Sequence, residues 1–521
     1  MSTIGIDGPS AGMLFPLTDR QLSEWRFDFY GSPRNRLAQN VCTARNPINA
    51  CLRSAAELST VLDGDKKWYE VNATGKAATG GPGWICTGLD LLRLEFVKNF
   101  PVPVDFEFST GHLVFWHKLE RCNYFLCTAS DLLERCEPLD GRNFRHLMKH
   151  AIPDGGNWQM FVNLVRKHGV MPKSCYLTSK PKSGAQLNKI LRSKLHEYAS
   201  LLHARYTFDG DGTQLPKLIG RMMARLYKVV TICLGEPPEE FHWTYYDQKK
   251  RFQSLQHLTA LHFYEMMVAK YTNLTEFVCL GHDPRVSSGY HKNFEVAHSS
   301  NMVDGLTHRF NNQPMEVLLQ ILTDSLAGDK AVWLTCDLCP KFSARRETLS
   351  LIQKTHNFSV LFGLDVGNSF SKADRMVYKE SRPDAALLLT AVGVNSINDP
   401  VEFRTISASV AGKTESTISL HEDGDDDVKE EKDKKDKEGD AVKKKAKKTK
   451  AATVDADWLR EYGFEIVVHE SFVPVGIREL PQGVAGQSTG SMLQAPGSRL
   501  HAPGCRVASK PATVFNLRDL R

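Results

Sequence analysis

The chain has no long apolar run. None of its 521 residues falls in a stretch of about 18 consecutive apolar positions, so no membrane span is expected. The first twenty residues carry Asp7 and Asp19 and no apolar segment of signal-peptide length. Charge of one sign is also scarce. A formal net charge of +6 over this length gives no general argument for nucleic acid or lipid as a partner. The 12 cysteines are scattered through apolar or mixed contexts and form no regular framework. These absences predict a cytoplasmic protein with reduced thiols. The histidines are scattered too, and neither a metal nor a cofactor is assigned.

An apolar fraction of 41% is enough for a large core and more than one domain. Apolar spacing predicts a buried helix over Leu89–Phe100 and a second over His112–Cys136. The turn Asp154-Gly155-Gly156-Asn157 opens a third helix, Trp158–His168, which Gly169 closes. Residues 184–232 are helical by period. Residues 331–336, Phe358–Phe362, Leu387–Val394 and Phe464–His469 read as buried strands. Helices first and strands later give an α+β chain. One segment departs from this pattern. Residues 422–440 hold 11 acidic residues and 5 lysines, and residues 442–450 add 6 lysines. With almost no apolar residue, this segment is expected to be disordered.

The longer ordered segments carry a family resemblance. They include Leu37-Ala38-Gln39-Asn40-Val41, Phe115-Trp116-His117-Lys118-Leu119-Glu120-Arg121-Cys122 and Asp154-Gly155-Gly156-Asn157-Trp158. Further on come Cys233-Leu234-Gly235-Glu236-Pro237-Pro238, Asn311-Asn312-Gln313-Pro314 and Lys372-Ala373-Asp374-Arg375-Met376. Through these the chain resembles bleomycin hydrolase and aminopeptidase C, a branch of the papain-like cysteine peptidases, over roughly residues 34–480. The resemblance implies a papain-like fold with a helical insertion subdomain. It divides the chain into an N-terminal extension (1–32), a helical part (33–174) and an assembly insertion (175–290). A strand-rich part (291–410), the charged insertion (411–453), a final strand region (454–480) and an extended tail (481–521) follow.

Catalysis in such a peptidase needs a cysteine thiolate, a histidine base, an asparagine that orients it and a glutamine at the oxyanion. The stretch Thr79-Gly80-Gly81-Pro82-Gly83-Trp84-Ile85-Cys86 is similar to the family's nucleophile segment, but Gly83 stands at the cysteine. Ala77 stands at the glutamine, Ala385 at the histidine and Ser407 at the asparagine. The glycine-rich hairpin that follows the asparagine is missing. The resemblance therefore implies a pseudoenzyme acting as a structural or regulatory subunit through protein partners. Such a subunit forms a homo-oligomer, a hexameric ring in this family, or co-assembles with an active paralogue.

Two other readings are carried forward. Cys86, one helical turn past Gly83, is a candidate displaced nucleophile for an aminopeptidase with relocated chemistry, and His356 and His421 are its candidate bases. The lysines of residues 443–448 suggest nuclear import or a polyanion-binding ring, because nucleic-acid binding has been associated with the family. Cys336-Asp337-Leu338-Cys339 has metal spacing but no second pair, and reads as core.

Overall fold

Alternation along three apolar strands builds the centre of the molecule. In β7 (Val332–Cys336), β9 (Ala385–Val394) and β12 (Gly463–His469), successive side chains point to opposite faces. Trp333, Ala386, Leu388 and Val467 join one buried cluster, while Leu334, Leu387, Leu389, Ile466 and Val468 join another. A fully buried sheet needs such strands to be apolar on both faces. The computed structural model describes residues 16–53, 66–72, 77–177, 184–210, 212–338, 348–364, 370–406 and 452–478.

Two short helices come first, α1 (Asp19–Gly31) and α2 (Pro33–Ala44), followed by strand β1 (Lys67–Glu70). Then come α3 (Gly83–Asn99), α4 (Thr110–Glu134), α5 (Arg142–Lys149), α6 (Trp158–His168), α7 (Gly184–Asp209) and α8 (Leu215–Leu234). A hairpin of β2 (Phe241–Tyr246) and β3 (Phe252–Leu258) follows. The main sheet adds β4 (Phe277–Gly281), β5 (Lys292–Val296), β6 (His308–Asn312), β8 (Thr348–Leu349), β10 (Pro400–Thr405) and β11 (Ala452–Asp455). Among the described residues its order is β5-β6-β4-β12-β7-β9-β10-β11-β8, with β1 on β9. Helix α3 covers one face of this sheet, and α9 (Met315–Ala327) covers the other. Helices α4, α5, α7 and α8 enclose a third, separate apolar core around Leu126, Leu191 and Leu226. No helix among the described residues is long and apolar enough to cross a membrane.

Several expected elements are present. The helix expected over Trp158–His168 has those bounds, with Asn157 accepting from the Met160 N–H and Gly169 at φ +67. The apolar stretch of residues 184–232 is two helices, parted at Gly210 and Gly212, both at positive φ. One strand expectation fails. Phe358–Phe362 forms a short helix, α10. Asn357 caps its start, Gly363 ends it in the left-handed region, and Val360 and Phe362 are exposed. Five apolar residues cannot tell strand from helix by period; the caps decide.

Helices α11 (Lys372–Val377) and α12 (Ala456–Tyr462) meet through two buried cations. Lys372 donates to the carbonyls of Arg460 and Gly463, and Arg375 to that of Glu461. Burial pushes the Lys372 amine down to about 7, although Glu461 pulls it back. The ordinary value is 10.5. A folded value below the unfolded one makes the protonated amine a cost, so its effect on stability improves as pH rises from 7 toward 10.5. Between pH 7 and 8.5 the native protein should gain about 1.5 kcal/mol relative to Lys372→Met. Urea midpoints of both proteins at the two pH values measure this. Parallel pH profiles would refute it.

Candidate functional site

The N-terminus of α3 carries the segment whose sequence is similar to a peptidase nucleophile segment. Pro82 sits at its N-cap, and Gly83 is the first helical residue. Trp84 is buried and donates its indole N–H to the Asp154 carbonyl at 3.1 Å. Its ring lies edge-on to His117 at 5.0 Å and covers Gly156. A Cβ on Gly156 would fall 2.4 Å from that ring, so the glycine-rich turn before α6 exists to let the tryptophan in. One turn further along α3, Thr87 donates its hydroxyl to the Ala386 carbonyl at 3.0 Å. That bond fixes the start of β9, and with it Ala385, beside the start of α3. Gly83 and Ala385 are thus brought to the same end of the helix–sheet junction. Ser407 lies outside the described residues, as do Cys339, His421 and residues 443–450.

Ala77 and Ala78 are buried just before this helix. The Ala78 N–H donates to both carboxylate oxygens of Asp90, at 2.9 and 3.1 Å. Asp90 also accepts from Arg93 Nε at 3.1 Å, and both side chains are only 2% exposed. Burial pushes the Asp90 carboxyl up to about 6, while Arg93 and the Ala78 N–H pull it back down. Asp90 therefore ties the loop of residues 77–81 to α3. Beside the loop opens a cavity of about 200 Å³, lined in part by Thr79, Gly80, Thr110, Lys173 and Tyr176.

Cys86 is 6% exposed. Its Sγ lies 3.7 Å from the Gly81 carbonyl. Burial pushes the thiol up to about 12, and the charge of Asp90 adds to the shift. At neutral pH it is an un-ionised core thiol, and the thiolate is the nucleophilic form. Three residues along a helix also place it about 4.5 Å from Gly83 along the axis. His356 is buried elsewhere, in contact with Thr355 and bridging to Leu52. The buried histidines nearer to α3, His112 and His117, are both held below the usual imidazole range by burial.

The sequence reading missed the Asp90–Arg93 pair. Its signal was present: two charged residues three apart inside the apolar run Leu89-Asp90-Leu91-Leu92-Arg93-Leu94. Charges on a helix face that is otherwise buried point to an internal partner.

Helix α3 packed on one face of a largely antiparallel sheet, with a separate helical layer, is the architecture of the papain-like class of peptidase folds. The chain belongs to the Peptidase C1-like family, whose sequence profile matches residues 16–411. Within it the relatives are bleomycin hydrolases and aminopeptidases C. Bleomycin hydrolase of Gallus gallus is 32% identical over 447 residues, 85% of this chain and 90% of the relative. The Homo sapiens bleomycin hydrolase is 34% identical over 373 residues, 70% and 80% of the two chains. Aminopeptidase C of Listeria monocytogenes is 31% identical over 384 residues, 73% and 83%. Among solved structures, PepW of Lactobacillus rhamnosis HN001 superposes with a TM-score of 0.74 at 21% identity, over 89% of this chain and 95% of that one. That last likeness is one of fold.

Proposed function

We propose that this chain is a catalytically inactive, bleomycin hydrolase-like pseudopeptidase that serves as a structural or regulatory protein-interaction subunit in the cytoplasm. The observation that carries the reading is Gly83, the first residue of α3, at the position aligned with the family's thiol. Ala385, at the start of β9, and the buried Ala77 add to it. None of the three side chains can act as nucleophile, exchange a proton or donate to an oxyanion. By alignment alone, Ser407 replaces the orienting asparagine. Relocated chemistry at Cys86 is disfavoured by its un-ionised, buried thiol.

What supports an interaction role is the N-terminal helix pair. Neither α1 nor α2 buries any residue. Trp25, Phe27 and Tyr30 of α1 are 53%, 80% and 58% exposed. Helices of this length are marginal in water on their own, and clustered exposed aromatics mark surfaces that a partner covers. Light scattering on the purified chain, alone and mixed with an active bleomycin hydrolase, tests this. The expected result is a particle several times the 58.5 kDa chain, reduced in mass by Trp25→Ser with Phe27→Ser. A monomer in both samples, or a mass unchanged by the two substitutions, would count against the reading.

A further inference from the structure

Helix α5 ends in the sequence His146-Leu147-Met148-Lys149-His150. Its two histidines are four residues apart and so lie on one helical face. Both are exposed, and their rings stand 4.6 Å apart centre to centre, tilted by 38°. A third histidine approaches from a distant part of the chain. His298, in the turn after β5, has φ +54, and it lies close enough for its charge to depress that of His146. Positive φ at a residue other than glycine is uncommon and persists where the surroundings enforce it.

What enforces this arrangement is one buried arginine. Arg121 of α4 is 3% exposed. It donates to the carbonyls of His150 at 2.7 Å, Ala151 at 3.3 Å and Ser300 at 2.7 Å. The end of α5 and the turn that carries His298 are thereby pinned to the same side chain. Among the described residues, none of the three imidazoles makes a hydrogen bond through a ring nitrogen. Six ring nitrogens are thus left to solvent or to a ligand, on backbones that are already fixed.

We propose that His146 and His150, with His298 alongside, form a binding site for a divalent transition-metal ion of the zinc, nickel and copper class. Imidazole is the preferred ligand of these ions, and neutral imidazole is the form that binds. Burial and the surrounding cations hold all three rings below their usual range: Arg121 and Arg142 act on His146, Lys149, Arg121 and Arg382 on His150, and Arg121 and Arg135 on His298. The rings are therefore neutral at pH 7. Asp131 and Glu137 act on His298 in the opposite direction and supply negative charge beside the site. A Zn–N bond is about 2.0–2.1 Å, so two nitrogens sharing one ion lie roughly 3 Å apart. Rings with the observed spacing would close to that separation by rotating about their side-chain torsions. Among the described residues no group of three or more such side chains is placed to hold a metal ion. The ion is therefore held by the helical pair, with water completing its shell.

The test uses the full chain, stripped with chelator and titrated calorimetrically with zinc chloride at pH 7. The expected result is one site whose affinity falls by about tenfold or more in His146→Ala and in His150→Ala, and by less in His298→Ala. Zinc should also raise the melting temperature of the native chain and not that of the His146→Ala, His150→Ala double variant. Affinity should drop as pH falls into the lowered range where the rings take protons. The chain has 18 histidines, so binding elsewhere is a real competitor. Unchanged zinc affinity in the double variant, or no binding by the native chain at millimolar zinc, would overturn the proposal. The substituted side chains are at the surface, and circular dichroism confirms folding.

Discussion

Asp90→Ala should lower stability by about 3–5 kcal/mol, although it removes a carboxylate that contacts no ligand. The side chain is 2% exposed, as is that of its partner Arg93. Taking the carboxylate away removes an ion-pair partner of a buried guanidinium and leaves the Ala78 N–H without this acceptor. Breaking a buried pair costs more than the pair contributes, because the remaining charge was desolvated on its account. The pH dependence reports the opposing effect, because burial of the carboxyl outweighs the pull of Arg93. The folded carboxyl titrates near 6, above its ordinary 3.8. The favourable contribution is therefore fully present below 3.8 and lost as pH rises through 6. Asp90→Asn should flatten the corresponding gain in stability between pH 7 and 5. Urea denaturation of the two variants and the native chain measures both effects. A loss below about 1 kcal/mol for Asp90→Ala would mean that the pair is a surface ornament, and the account of how the loop of residues 77–81 is held would fail.

The helices and the central strands were legible because their apolar periods are long. Trp158–His168 carried its own stop signals in Asn157 and Gly169, and β9 carried ten nearly unbroken apolar positions. The segment Phe358–Phe362 was misread as a strand because five apolar residues carry no period; the capping Asn357 and Gly363 were the better guide. The β2–β3 hairpin went unread, and its sequence explains why. Phe241-His242-Trp243-Thr244-Tyr245-Tyr246 alternates in burial, but His242 and Thr244 interrupt a largely aromatic run without a glycine turn to close it. The candidate site was legible through resemblance, residue by residue, and hardly at all through local pattern. Glycine and alanine at positions 77, 83 and 385 look like ordinary small core residues. Only alignment to a family that places Cys, His and Gln there makes them conspicuous. Local pattern did not reveal the contact network that keeps this loop in shape. Trp84 on Gly156, Thr87 on Ala386 and Asp90 on Ala78 are separated by up to 299 residues in the chain, and local pattern carries no trace of such pairings. The histidine cluster is similar: His146 and His150 are visible as a spaced pair, but His298 joins them only through the fold.

The central claim is the absence of peptidase chemistry. Removing the nucleophile or the base of a catalytic triad costs on the order of 10⁶ in rate, and Gly83 and Ala385 stand at the positions that the family resemblance assigns to them. The most direct measurement is hydrolysis of an aminoacyl fluorogenic substrate by the purified full chain, beside its Cys86→Ala variant and an active bleomycin hydrolase. The account predicts that the native chain releases no fluorophore above the buffer rate, with Cys86→Ala indistinguishable from it, while the active enzyme turns over. Turnover by the native chain that disappears in Cys86→Ala would contradict it.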